Sequence, residues 1–160
     1  MHSKITDMTY YVYNTQFGAL TISGDNQSIT GLYLGATTMS GTFKPTQITN
    51  ECSTQILQYF SGLRKKFDLR IKLQGTEFEK RVWRALYDTE YGQTITPSEL
   101  ATIIEKEGSY RNITKAAHNN KIAIIIPDHR LIPISKFENP TKASKQRLAI
   151  RKIEEKFSLK

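Results

Sequence analysis

The 160-residue chain holds one cysteine, Cys52, and one tryptophan, Trp83. A single thiol excludes an internal disulfide framework and fits a reducing compartment. With only three histidines beside it, a cysteine- and histidine-built zinc site is not expected, nor is any other cofactor. No apolar run is long enough to span a bilayer. Residues Met1–Asp7 lack the apolar core and cleavage pattern of a signal peptide, so a cytoplasmic protein is expected. Acid is also in short supply. Lys and Arg total 23 against 15 Asp and Glu, a net charge of +8 with a pI near 9.6. This balance favours a polyanionic partner. The excess is diffuse, however: residues 1–75 carry 7 basic against 4 acidic side chains, and residues 76–160 carry 16 against 11. With 38% hydrophobic and 24% charged residues, the chain reads as globular, with length for one ordinary domain or two small ones.

The first half alternates in the manner of strands. Residues 9–13 are aromatic and β-branched. Phe17-Gly18 and Gly24-Asp25-Asn26 are turn signals that separate them from strands beginning at Leu20 and spanning Ile29–Leu34, which makes an antiparallel meander. Residues 35–46 read as a loop. From Asn50 to Phe60 the apolar residues recur at helical spacing, with Gly62 near the C-terminus of that helix. Phe67–Leu73 alternates strictly and predicts a fourth strand, and Gly75 marks a domain boundary.

The second half is helical in pattern. Thr76 and Glu79 have the spacing of a capping box, followed by the stripe Phe78, Val82, Trp83, Leu86 and Tyr87. Trp83 is read as a core residue rather than a base-stacking one. Thr96-Pro97-Ser98-Glu99 opens another helix, with Leu100 and Ile103 assigned to its buried side. Gly108 breaks it, and Ser109-Tyr110-Arg111 opens the next, through Ala116-Ala117. Two short helices around a glycine-containing turn suggest a helix-turn-helix. A basic helix from Lys142 to about Phe157 closes the chain, with Leu148, Ile150 and Ile153 assigned inward. Between these helices, Ile124–Ile126 predicts a buried strand or extended segment. Pro127 ends it and turns Asp128, His129 and Arg130 outward.

These elements together resemble the O6-alkylguanine-DNA alkyltransferases, also called methylated-DNA–protein-cysteine methyltransferases. Asn14-Thr15-Gln16-Phe17-Gly18-Ala19-Leu20 resembles the family's Thr-Pro-x-Gly-x-Leu hairpin. Tyr59-Phe60-Ser61-Gly62 is similar to its Tyr-Phe-x-Gly segment. Gly75-Thr76-Glu77-Phe78 through Val82-Trp83 matches its Gly-Thr-x-Phe-x-x-x-Val-Trp helix. Tyr91-Gly92-Gln93-Thr94 and Glu99-Leu100-Ala101 match further elements, and Asn120, Pro127, His129 and Arg130 match its Asn and Pro-Cys-His-Arg signature. The resemblance implies an α+β fold. A ribonuclease-H-like antiparallel sheet with a helix occupies residues 1–75, and a helical helix-turn-helix domain that binds DNA occupies residues 76–160. It also implies double-stranded DNA as partner, with the alkylated guanine flipped out through the minor groove. In the family an activated cysteine takes the alkyl group once, its proton drawn off by a histidine through water and a glutamate.

Three positions depart from that pattern. Asp128 stands at the acceptor cysteine's place, where Asn120 and His129 would complete the catalytic set. Pro97 replaces a tyrosine that turns the target phosphate, and Ser135–Ala143 lacks the Gly-Tyr-x-Gly-Gly loop that walls the alkyl pocket. Arg111 falls where the family's gap-filling arginine lies, and Tyr110, Lys115 and Arg130 are the other DNA-contact candidates, with Lys121 a further phosphate candidate. The leading expectation is a monomeric DNA-binding homologue that has lost alkyl transfer, is not an enzyme, and recognises alkylated guanine for other repair proteins. Two alternatives stand beside it: alkyl removal through an Asp128 ester hydrolysed with His129 as base, or a retained fold with no DNA function.

Overall fold

The computed structural model describes residues 7–132 and 141–158. They divide into two compact units. Described residues up to Gln74, joined by Lys121–Ala123, form the first; Gly75–Asn120 and the described residues from Ile124 onward form the second. The fold is α+β, with a four-stranded sheet in the first unit and helices in the second. The chain thus returns to the first unit for three residues, a crossing that one boundary does not describe.

In the first unit β1 (Thr9–Thr15), β2 (Gly18–Gly24) and β3 (Ile29–Leu34) form the antiparallel meander. The fourth strand is not Phe67–Leu73 but β4 (Thr42–Phe43), inside the stretch read as a loop and parallel to β1. The sheet order is β3-β2-β1-β4. Residues Phe67–Leu73 keep their alternating burial but meet the sheet through one bridge only. Ile29 N–H donates to Arg70 O at 2.8 Å, and Lys72 N–H donates to Ile29 O at 2.9 Å. The side chain of Gln55 takes over beyond that bridge, accepting from Asp68 N–H at 2.9 Å and donating to Asp68 O at 3.1 Å. A helix side chain therefore does the work of a neighbouring strand. Leu32 makes a second bridge, to Ile122, so two separate segments cover the outer edge of β3. An edge covered in this way offers no open ladder for another chain.

Helix α1 (Gln47–Phe60) starts three residues earlier than its apolar pattern, because Thr46 caps it in a reciprocal box with Thr49. Its Cys52, Ile56, Tyr59 and Phe60 are buried, as are Leu20, Ile22, Ile29 and Leu32 of the sheet. The Tyr13 hydroxyl reaches Thr49 Oγ1 at 2.9 Å and Asn50 Oδ1 at 2.6 Å, tying β1 to the helix.

The second unit begins with α2 (Glu77–Tyr87), α3 (Pro97–Ile103) and α4 (Tyr110–His118). The expected capping box forms between Thr76 and Glu79, and the helix opening at Thr96 proves to carry a second one, with Glu99. Val82, Trp83, Leu86, Leu100, Ala101, Ile113, Ala116 and Ala117 make the core between these helices. The indole N–H of Trp83 donates to Ala116 O at 2.9 Å, so Trp83 is a core residue with its polar edge satisfied. Three inward assignments fail. Ile103 is exposed and Ile104 is buried in its stead; Tyr87 and Leu148 are also exposed. Ile103 and Tyr87 close their helices, where the chain is already turning away, so the helical period no longer sets the direction of their side chains.

Helix α3 also stops before Gly108. Glu105 takes the left-handed conformation at φ 58°, and Lys106 N–H donates to Ala101 O while Glu105 N–H donates to Thr102 O. This is a Schellman closure with glutamate where glycine is usual. The Arg81 guanidinium donates to Ile104 O and covers another terminal carbonyl. Helix α5 (Lys142–Ser158) completes the unit, burying Ile150, Ile153 and Glu154.

Candidate functional site

Ile124, Ile125 and Ile126 are buried as expected but do not form a strand. Ile124 sits at φ 71°, a conformation that a β-branched residue adopts only under constraint from its surroundings. The chain then passes Pro127 into a single 3-10 turn, Asp128–Arg130. The outward orientation read from Pro127 is corrected here. His129 is 0% exposed and Arg130 7%, while Asp128 is half-buried. The tight turn rotates successive side chains by about a third of a revolution, which sends two of the three into the fold.

Glu154 of α5 is what they meet. His129 Nε2 lies 2.7 Å from Glu154 Oε2, and Arg130 Nη2 donates to the same oxygen at 2.9 Å. Arg130 Nε and Gly92 N–H donate to Glu154 Oε1 at 2.9 and 3.1 Å. Arg130 Nη1 donates to Thr89 O at 2.8 Å and Thr89 Oγ1 at 3.1 Å, and the Tyr91 ring lies 6.0 Å from the guanidinium carbon. Arg151 donates to His129 O at 3.0 Å. Arg130 therefore spends its donors inside the fold, which removes it from the DNA-contact candidates.

The charges in this cluster are settled by burial and pairing. Burial opposes the charge on Glu154, but bonds from His129 and Arg130 outweigh it and hold its carboxyl down at about 2. Burial also lowers the His129 pKa, against the pull of Glu154. The imidazole is thus neutral at pH 7. Its Nε2 faces an ionised, acceptor-only carboxylate and must carry the proton. Nδ1 is then a lone-pair acceptor, and it is buried with no hydrogen-bond partner among the described residues. Such a nitrogen is able to take a proton.

Asp128 lies beside this cluster. Burial raises its pKa to about 6, against the lowering effects of Arg147, the Asn120 side chain and a backbone bond at His129. Asn120 Nδ2 also donates to Ile126 O at 2.7 Å, so one amide braces the chain on both sides of Pro127. Asp128, His129 and Asn120 are thereby brought together.

The other candidates lie apart from that cluster. Tyr110, Arg111 and Lys115 are exposed on α4, and none of them belongs to the cluster. Lys121 belongs to the first unit, where its ammonium donates to Gln74 O at 2.8 Å. The pocket-loop segment lies outside the described residues up to residue 140. Glu154 is the participant missed by the sequence reading. It lies 25 residues from His129 and next to Glu155 in a lysine- and arginine-rich helix, where acids are read as solvated. Ile150 and Ile153 flag its side of α5: one more step along that stripe arrives at Glu154. Among the described residues no group of acids, histidines or cysteine is placed to hold a metal ion.

A four-stranded sheet unit followed by a helical unit is the fold of the solved O6-methylguanine methyltransferases. Residues 8–73 match the family described as 6-O-methylguanine DNA methyltransferase, ribonuclease-like domain, and residues 77–153 match its DNA binding domain. The methylated-DNA–protein-cysteine methyltransferase of Methanosarcina acetivorans is 33% identical over 134 residues, 78% of this chain and 83% of that one. The Methanosarcina barkeri protein of the same name is 46% identical over 82 residues, and the match spans about half of each, 51% of this chain and 52% of that one. The crystal structure of Mycobacterium tuberculosis O6-methylguanine methyltransferase superposes with a TM-score of 0.83 at 30% identity, covering 93% of both chains. A structure of Mycobacterium tuberculosis OGT in complex with DNA superposes at 0.84 and 30% identity, covering 93% of this chain and 94% of that one. The chain belongs to the 6-O-methylguanine DNA methyltransferase family.

Proposed function

We propose that the protein binds duplex DNA and holds an alkylated guanine for other repair proteins without taking the alkyl group itself. The half-buried carboxyl of Asp128, in front of an intact His129–Glu154 pair, carries this reading. By resemblance, position 128 is that of the acceptor cysteine. A thiolate is a strong, polarisable nucleophile at neutral pH. A carboxylate spreads its charge over two hard oxygens and attacks an unactivated alkyl ether poorly. The base that would draw off a thiol's proton is kept, but the atom that accepts carbon is gone.

DNA binding is supported by family membership and by the exposed Tyr110, Arg111 and Lys115 on α4. The Mycobacterium tuberculosis relative is described in complex with DNA. Arg111 takes the family's gap-filling role, and Lys115 meets phosphate. The protein acts as a monomer with no cofactor.

Fluorescence anisotropy on matched duplexes containing guanine or O6-methylguanine, at two salt concentrations, tests the reading. The expected result is tighter binding to the lesion and affinity that falls as salt rises, because phosphate contacts release counterions. Arg111→Ala should weaken lesion binding by about fivefold to tenfold, on the order of 1 kcal/mol. Absence of binding even at low salt would overturn the proposal in favour of a fold kept for another use.

A further inference from the structure

Side chains of a strand alternate between its two faces, so Thr21 and Ser23 of β2 lie on the sheet face away from Leu20 and Ile22. Both are buried. At Thr21 the segment after β3 satisfies the hydroxyl, which donates to Gly35 O at 2.7 Å and accepts from Thr37 N–H at 3.0 Å. At Ser23 it does not. Ser23 Oγ bonds to Thr30 Oγ1 at 3.0 Å, and these two residues, each 5% exposed, have no other side-chain hydrogen bond among the described residues. One proton serves the contact between two hydroxyls, so the pair keeps a second to donate, with lone pairs to spare.

Ser23 and Thr30 line a cavity of about 500 Å³ that belongs wholly to the first unit, within the roughly 300–1,000 Å³ of small-molecule sites. Gly31 keeps it open: a Cβ there would lie 2.6 Å from Ser23 Oγ and 3.4 Å from Met39 Cε. Met8 and Met39 add thioethers to its wall, and Gln74 adds a carboxamide. Lys121 is the one charged lining residue among those described, and its ammonium gives one proton to Gln74 O at 2.8 Å. An ammonium has two more to offer an anion. A neighbouring hollow shares Met8 and Gln74 but is lined by the acids Asp7 and Asp25 with Lys72, so an anionic group is favoured at the Lys121 end.

Each of these groups suits a different part of one ligand. Thioether sulfur packs favourably against aromatic rings. A carboxamide donates and accepts side by side and matches the N6 and N7 edge of adenine, and hydroxyls serve either polarity. An ammonium holds phosphate as a point charge. We infer that this cavity binds a free nucleoside monophosphate, with the base against Met8, Met39 and the Ser23–Thr30 hydroxyls and the phosphate on Lys121. No residue of the site lies on α4 or in the His129–Glu154 cluster, so the inference stands apart from the proposed DNA binding.

The test is isothermal titration calorimetry of the full chain with adenosine 5′-monophosphate, adenosine and inorganic phosphate. The nucleotide should bind at one equivalent and about tenfold or more tighter than either part alone, because base and phosphate contacts act together. Ser23→Ala, which removes the spare hydroxyl, should weaken it about fivefold. Met39→Ala should do the same from the half-buried covering segment, and it decides the matter where Ser23→Ala fails to fold. Lys121→Met should bring the nucleotide down to the affinity of adenosine. Absence of nucleotide binding at about 1 mM would overturn the inference, and so would equal affinities for adenosine and its monophosphate in the wild type. A nucleotide affinity that falls in Arg111→Ala but not in Ser23→Ala or Met39→Ala would also overturn it, because the nucleotide would then sit on the DNA-contact side of α4. Each of these results leaves the proposed function standing, and failure to bind duplex DNA would leave this inference standing.

Discussion

Four donors converge on the carboxylate of Glu154, from His129, Gly92 and two nitrogens of Arg130. Replacing it by glutamine keeps the shape but leaves a buried guanidinium without its counter-charge. Glu154→Gln should therefore cost about 3–5 kcal/mol of stability, a large part of the roughly 5–15 kcal/mol of an ordinary domain. Because its folded pKa is depressed to about 2, the stability from Glu154 is present above its ordinary range and lost as pH falls toward that value. Urea titrations at neutral and acidic pH check this: the gap between wild type and Glu154→Gln should narrow as pH falls. Asp128 has the opposite sign. Its folded pKa is raised to about 6, so its stability contribution is full below its ordinary value of 3.8 and lost as pH rises through 6. Asp128→Asn should melt at a higher temperature than wild type at pH 8, and the two should converge near pH 4. The sequence showed Asp128, His129 and Asn120 as a group because the family signature holds them within ten residues. It did not show Glu154, whose bond to His129 depends on how α5 folds back within the second unit. Nor did it show that Arg130 faces inward, because that follows from the 3-10 turn and not from Pro127.

Among the elements, those fixed by local chemistry were the most legible. The capping boxes at Thr76 and Thr96 form where a Thr stands three residues before a Glu. The box at Thr46 was missed, since its reciprocal partner is Thr49 and threonine is not the usual residue there. Phe67–Leu73 has a strand's alternation, but its bonding partners are Ile29 and the side chain of Gln55, which no periodicity reports. The end of α3 was misplaced for a related reason: Gly108 is the evident breaker, yet Glu105 makes the left-handed closure. An L-residue in that conformation costs about 1 kcal/mol or more. Glu105→Gly should relieve it, raising stability by about 1 kcal/mol in chemical denaturation; no gain would mean that the closure carries no strain.

Considered as a whole, the chain keeps its family's plan of a sheet-bearing unit and a helical unit, and position 128 carries a carboxyl beside the buried His129–Glu154 pair. Conservation of the plan does not by itself decide the reaction, because function resides in the site and not in the fold. On the proposed reading, Asp128→Cys should take up one methyl group per protein, since the residue next to it, His129, is already paired with Glu154. The most direct measurement is the intact mass of wild-type protein after incubation with a duplex containing O6-methylguanine under conditions where the two are bound, with the DNA digested and its bases counted. The expected result is unchanged protein mass and full recovery of O6-methylguanine. A methyl adduct on Asp128, or lesion lost beyond one equivalent with the protein unmodified, would contradict the account and show that the carboxyl performs the transfer.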